Sequence, residues 1–118
     1  MNSGELRLEQ VQAALRRFSA ERNWAQFHTP KNLASALSVE AAELLEIFQW
    51  MKTGEIDELG TTGRAAAVEE LADVFNYLVM LADVLKVDLL SAAQAKIQKN
   101  ALKYPVDTSF GNAKRILE

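Results

Sequence analysis

Four acidic residues of this chain stand among apolar neighbours, on two segments that have to be helical. In Ser38-Val39-Glu40-Ala41-Ala42-Glu43-Leu44-Leu45-Glu46-Ile47-Phe48-Gln49-Trp50 there is no Gly or Pro, and helix formers dominate. The apolar stripe runs through Leu33, Ala36, Leu37, Leu44, Ile47 and Met51, and Glu40 falls on it. Glu43 lies one turn on, displaced by about 60° around the axis. A second segment, Glu69-Glu70-Leu71-Ala72-Asp73-Val74-Phe75-Asn76-Tyr77, repeats the spacing with Glu70 and Asp73. A fold that accepts both segments has to take two acidic pairs toward its interior.

Such a placement is expensive unless something compensates it. A carboxylate carried into an apolar interior costs several kcal/mol. Two like charges about 4 Å apart, at an effective dielectric near 20, repel by roughly 4 kcal/mol. Either some of the four hold protons at neutral pH, or cations sit among them. Basic partners are scarce: the second helix has only Lys31 and Lys52 at its ends, and the third has none between Arg64 and Lys86. An all-oxygen donor set selects hard cations, Mg²⁺, Mn²⁺ or Ca²⁺. Glu46 and Glu69 continue the acidic positions and read as ordinary solvated residues.

Composition narrows the class. At 118 residues, 49% hydrophobic and 25% charged, the chain has ordinary globular proportions. We expect one all-α domain over 1–118, with a core over about 5–104 and a C-terminal tail over 105–118. Net charge is −3, and without the four acids it would be +1, so the excess acidity is local. No basic run suggests a nucleic-acid surface. The absence of Cys excludes disulfides and thiolate metal sites. No apolar run approaches the roughly 20 residues of a membrane span, and the start of the chain carries no secretory pattern. A soluble, cytoplasmic protein is the expectation.

In chain order, Ser3 can cap a first helix over about Gly4 to Arg22, with Leu8, Val11, Leu15 and Phe18 on one face. Residues 23–30 read as a linker. Thr29 as cap and Pro30 in first position open a second helix, running to about Lys52. Thr53-Gly54 ends it, and the segment to Gly63 reads as a loop with Gly60 and Gly63 as breakers. The third helix, about Arg64 to Lys86, is apolar nearly all round after Asp73, except for Asn76 and Asp83. Such a helix is buried in a bundle or at a subunit interface. Asp88 can cap a fourth helix to about Lys103, with Leu89, Leu90, Ala93, Ile97 and Leu102 on its apolar side. Tyr104-Pro105 stops it, and one short helical turn is expected in the tail. The architecture predicted is an all-α four-helix bundle. The third helix offers more apolar surface than its neighbours can cover, which predicts a homo-oligomer.

The pattern Glu40-x-x-Glu43, then 26 residues, then Glu70-x-x-Asp73 resembles the Glu-x-x-Glu…Glu-x-x-Asp signature of the all-α nucleoside triphosphate pyrophosphohydrolases, the MazG-like group. The segments Glu21-Arg22-Asn23-Trp24-Ala25-Gln26-Phe27-His28, Glu43 to Trp50, and Lys96-x-x-x-Asn100-x-x-Lys103-Tyr104-Pro105 resemble its small dCTP pyrophosphatase branch. The likeness covers roughly residues 8–105.

The resemblance implies hydrolysis of a deoxynucleoside triphosphate between the α and β phosphates, with dCTP-like substrates preferred, as nucleotide-pool house-cleaning. It assigns Glu40, Glu43, Glu70 and Asp73 to Mg²⁺, with Mn²⁺ possible, and points to a tetramer built as two dimers. The chemistry agrees, since a triphosphate of about four negative charges cannot approach four bare carboxylates without bridging cations. Glu40 or Glu43 would position the attacking water as general base. For the nucleoside the resemblance offers Trp24, His28, Trp50 and Tyr77, and for phosphate or sugar Lys96, Asn100 and Lys103. Tyr77 follows Asp73 by four residues and shares its side of the helix. One departure is visible: some members carry a His in the first helix that helps read the nucleotide, and the matching position here is Leu15.

Three rivals compete with this reading. A di-iron carboxylate bundle needs two Glu-x-x-His motifs, whereas the sole histidine, His28, follows Ala25 by three. A non-catalytic helical interaction module would leave the acids solvated. Within the enzyme class, the rival is a broad-specificity pyrophosphatase for unmodified or modified nucleotides.

Overall fold

The structure, a computed structural model, describes residues 6–114. Among them there is no strand, and the α-helices number five rather than four: α1 Leu8–Glu21, α2 Pro30–Phe48, α3 Ile56–Val84, α4 Leu89–Lys103 and α5 Val106–Ser109. They fall into two compact units divided between Lys86 and Val87. The first unit holds α1, α2 and α3; the second holds α4 and α5. No helix among the described residues is long and apolar enough to cross a membrane.

Local chemistry accounts for the boundaries. Ser3 lies outside the described residues, and α1 begins four residues later than the sequence suggested, where the Arg7 backbone N–H donates to the Gln10 side chain at 2.7 Å. A free backbone donor at a helix start is satisfied as well by a returning glutamine as by a serine cap. After Glu21, Asn23 takes a left-handed conformation (φ 53°), which asparagine tolerates better than most residues. The Trp24 N–H then returns to the Ser19 carbonyl at 2.9 Å. A 3-10 turn, Ala25–Phe27, occupies the linker. Thr29 caps α2 as expected, its Oγ1 accepting from the Asn32 N–H at 3.2 Å with Pro30 in first position.

The segment before Gly63 corrects the sequence reading. It is not a loop: α3 starts at Ile56, and the chain is interrupted only at Gly60 (φ 72°, ψ 177°) before the helix resumes. Gly60 acts as the breaker it was taken for, but only for one residue. Gly63 does not break the helix at all. It gives room to the Leu59 side chain, which a Cβ there would meet at 2.8 Å. The α2–α3 turn is set by Gly54, whose φ of 76° suits glycine and whose Cβ, if present, would lie 2.7 Å from the Phe48 ring.

In the first unit α3 packs along α2 and, over a shorter length, against α1. Leu33 of α2 and Val79 of α3 are each only 1% exposed, and Ala67 and Ala82 complete the buried apolar set. The small alanines allow the helices to approach closely. Of the later apolar residues, Val79 and Ala82 are buried while Leu78, Val84 and Leu85 stay exposed, and Val68, Leu71, Phe75 and Leu78, at helical spacing on α3, form an exposed apolar stripe. Asp83, an exception in that apolar run, meets Arg16 of α1 in a two-pronged ion pair, at 2.7 Å from Nε and 2.5 Å from Nη2. In the second unit Asp88 caps α4 by accepting from the Ser91 N–H at 3.1 Å, and α5 is the single turn expected in the tail.

Candidate active site

The pairing of α2 with α3 brings the two acidic pairs into register. Oxygens of Glu40, Glu43 and Glu70 all lie within 4.8 Å of one another. Asp73 stands outside this tight group, but its charge acts on both Glu40 and Glu70. The stripe position of Glu40 has the expected consequence: its Oε2 is buried, as is Oε2 of Glu70, and neither has a hydrogen-bond partner among the described residues. Glu46 and Glu69 are exposed, as ordinary solvated acids should be.

The electrostatics follow from that crowding. Glu40 is pushed up to about 7, first by the adjoining Glu43 carboxyl, then by desolvation and by the surrounding negative charge. Glu70 is raised chiefly by desolvation, with Glu43 and Asp73 adding repulsion. Buried carboxyl oxygens are ordinarily hydrogen-bonded. Two unpartnered buried oxygens, on residues whose carboxylates meet within 4.8 Å, therefore fit a cation. The donors are all carboxylate oxygens, which suits Mg²⁺, Mn²⁺ or Ca²⁺ and disfavours softer metals.

Beside the cluster lies a cavity of about 390 Å³ between α1 and α3. Leu15 and Phe18 line it from α1, Trp24 and His28 from the linker, and Asp73, Asn76, Tyr77 and Met80 from α3. Asp73 thus borders both the acidic cluster and the cavity. Trp24 meets Phe18 edge-on, with ring centroids 5.7 Å apart, and Arg22 covers the other ring at 3.7 Å. A second cavity of about 230 Å³ shares Leu15, His28 and Met80 with the first and extends to Ser19 and the Arg16–Asp83 pair.

Of the residues selected for the nucleoside, Trp24, His28 and Tyr77 line the larger cavity. Trp50 does not, and is 90% exposed beyond the end of α2. Lys96, Asn100 and Lys103 border a shallow depression on α4 in the second unit, with Lys103 Nζ 5.8 Å from the Tyr104 ring centre. Leu15, where the resemblance led one to look for a histidine, is indeed a wall residue. The sequence reading passed over Ser19, Asn76 and Met80. Asn76 and Met80 follow Asp73 by three and seven residues, so helical periodicity alone could have placed them beside it.

The sequence model of the MazG-like family matches residues 35–118. dCTP pyrophosphatase 1 of Bos taurus is 43% identical over 113 residues, covering 94% of this chain and 67% of that protein. The Homo sapiens protein of the same name is 42% identical over 118 residues, covering 98% and 69%. A crystal structure of a pyrophosphatase from Archaeoglobus fulgidus superposes with a TM-score of 0.79 at 40% identity, covering 89% of this chain and 98% of that one.

Proposed function

This chain belongs to the MazG-like family, and we propose that it hydrolyses deoxynucleoside triphosphates between the α and β phosphates, with dCTP-like substrates preferred. The observation that carries the proposal is the meeting of Glu40, Glu43 and Glu70 oxygens within 4.8 Å, from two helices, next to an aromatic-lined cavity. The family match, over residues 35–118, runs across the division at Lys86, and the relatives align over 94% and 98% of the chain, which supports one working domain.

Glu40, Glu43 and Glu70, with Asp73 beside them, would hold Mg²⁺ or Mn²⁺. A cation there supplies neutralisation of the triphosphate and polarisation of its phosphoryl oxygens. Glu40 or Glu43 takes a proton from the water that attacks the α phosphorus. The new P–O bond forms as the bond to the bridging oxygen of the β phosphate breaks, releasing pyrophosphate and a nucleoside monophosphate. Trp24 and Tyr77 present ring faces to the base, and His28 offers a polar atom at the same wall. Trp50, exposed at the end of α2, and Lys96, Asn100 and Lys103 of α4 are proposed on the family resemblance alone, the first for the nucleoside and the others for phosphate or sugar.

The test is the identity of the first products. With Mg²⁺, dCTP should give dCMP and pyrophosphate with no dCDP at early times. Inorganic phosphate with dCDP as first product would move the attack to the γ phosphorus and refute the proposal.

A second reading, a broader house-cleaning range over modified and unmodified nucleotides in the cytoplasm, is favoured by Leu15. An apolar side chain at that wall reads no polar edge of a base. Profiling the four common dNTPs, the NTPs and 5-substituted dCTP distinguishes the two. The exposed stripe Val68, Leu71, Phe75 and Leu78 supports assembly into at least a homodimer, and the family resemblance points to a tetramer of two dimers. Sedimentation showing only a 13.1 kDa species at micromolar concentration would refute that.

A further inference from the structure

Ser19 is the buried polar residue among the described residues of the first unit, 7% exposed, and the pyrophosphohydrolase reading gives it no role. It sits on α1 facing the smaller cavity, nine residues before His28. Its carbonyl is already used, accepting from the Trp24 N–H at 2.9 Å and the Arg22 N–H at 3.3 Å. Its hydroxyl has one partner among the described residues, Nδ1 of His28 at 3.4 Å. His28 stands between the two cavities and lines both, whereas Ser19 lines only the smaller.

Two proton arrangements can span this contact, and burial decides between them. A hydroxyl proton shut away from water needs an acceptor, and leaving a buried donor unmet costs more than leaving one lone pair of an oxygen empty. Nδ1 is the acceptor within reach. A neutral imidazole that accepts at Nδ1 carries its proton on Nε2. We propose that Ser19 is a positioning residue that fixes His28 as the Nε2–H tautomer, so that the nucleoside cavity offers a base a hydrogen-bond donor at this wall.

The consequence is a selectivity device that acts in the absence of a polar residue at position 15. A donor at Nε2 favours a base edge rich in acceptors, such as the 2-carbonyl and unprotonated ring nitrogen of a cytosine-like pyrimidine. Without the serine hydroxyl, the neutral ring is free to place its proton on Nδ1 and present an acceptor instead. The selectivity half of this inference rests on the pyrophosphohydrolase reading; the tautomer half does not.

Because His28 is the sole histidine of these 118 residues, ring ¹⁵N spectra of this chain contain one imidazole. At a pH where the ring is neutral, the wild type should show a protonated Nε2 and an unprotonated Nδ1. Ser19→Ala should move both nitrogens toward averaged values, and Ser19→Thr should restore them, its extra methyl entering the adjoining cavity of about 230 Å³. In steady-state assays Ser19→Ala should raise KM for dCTP by up to about twofold, the reciprocal of the fraction of rings that keep Nε2–H once the tautomers average, with a much smaller effect on kcat and recovery in Ser19→Thr. A wild-type ring protonated on Nδ1, or a Ser19→Ala spectrum identical to wild type, would overturn the assignment. Should the wild type fail to cleave dCTP, the functional reading falls while the spectra still decide the role of Ser19.

Discussion

Two carboxylates at the α2–α3 pair are treated in opposite ways. Glu58, in the first turn of α3, accepts from the backbone N–H groups of Lys52 at 2.7 Å, Thr53 at 3.0 Å and Gly54 at 3.0 Å. Those donors draw it down to about 2. Glu40, on the facing side of α2, has a buried oxygen with no partner and is pushed up to about 7. The chain supplies donors lavishly where a carboxylate only has to close a turn, and withholds them where three carboxylates meet. The difference is in hydrogen bonding: Glu58 is satisfied by backbone donors of the protein itself, whereas the buried Glu40 oxygen has no partner among the described residues, which is the contrast the proposed metal site rests on.

The largest effect that can break this contrast is catalytic. Glu43→Gln and Asp73→Asn keep shape and remove charge, so activity on dCTP should fall by orders of magnitude. Relief of repulsion should leave the metal-free protein as stable as wild type or slightly more so. Near-normal turnover in both variants, measured alongside thermal melts, would contradict the assignment. Glu58→Gln should do the reverse, lowering the melting temperature and leaving Mg²⁺ affinity intact.

A smaller effect concerns the aromatic wall. Stacking of a base on an aromatic ring is worth roughly 1–3 kcal/mol, or about ten- to a hundredfold in binding. Trp24→Ala, at the cavity, should therefore raise KM for dCTP more than it lowers kcat. Trp50→Ala tests whether a ring outside the cavity reaches the nucleoside: a comparable rise in KM supports that role, and unchanged kinetics refute it.

The subtlest effect is in pH, where the two acids have opposite signs. Glu58 is depressed from an ordinary value of 4.5 to about 2. Its contribution to stability is present above pH 4.5 and is lost as pH falls through about 2. Glu40 is raised from 4.5 to about 7, so its contribution is full below pH 4.5 and is lost as pH rises through 7. Metal-free Glu40→Gln should accordingly lose less stability than wild type between pH 5 and 8, while Glu58→Gln should flatten the acid limb. Thermal melts in EDTA across pH 3–8 would show both slopes, and identical slopes in all three proteins would remove the contrast.

Much of this was legible in the residues. Thr29-Pro30 and Asp88 marked helix starts because capping is a local contact. Glu40 stood out because an acid on an apolar stripe has to be either solvated or compensated. The three-residue spacing of Glu70 and Asp73 pointed to a second acidic pair, of which the structure brings Glu70 into the cluster. What stayed hidden needed tertiary distance. Arg16 and Asp83 are 67 residues apart, and nothing local links them. Glu58 looked like one more acid in a polar segment, because its partners are backbone donors that exist only once the turn closes. Ser19 read as an unremarkable helix residue until the linker folded His28 onto it. The start of α3 was misplaced because Gly60 and Gly63 look alike in sequence, and only Gly60 adopts the left-handed backbone that interrupts a helix.

The central claim is that the Glu40, Glu43 and Glu70 cluster holds a divalent cation. Calorimetric titration with Mn²⁺ or Mg²⁺ at neutral pH, on wild type and Glu70→Gln, tests it without any substrate. The account predicts saturable binding to the wild type, accompanied by proton release from the raised Glu40 and a rise in melting temperature. It predicts severe loss of both in the variant. No binding heat, together with a melting temperature indifferent to millimolar Mg²⁺, Mn²⁺ and EDTA, would contradict it.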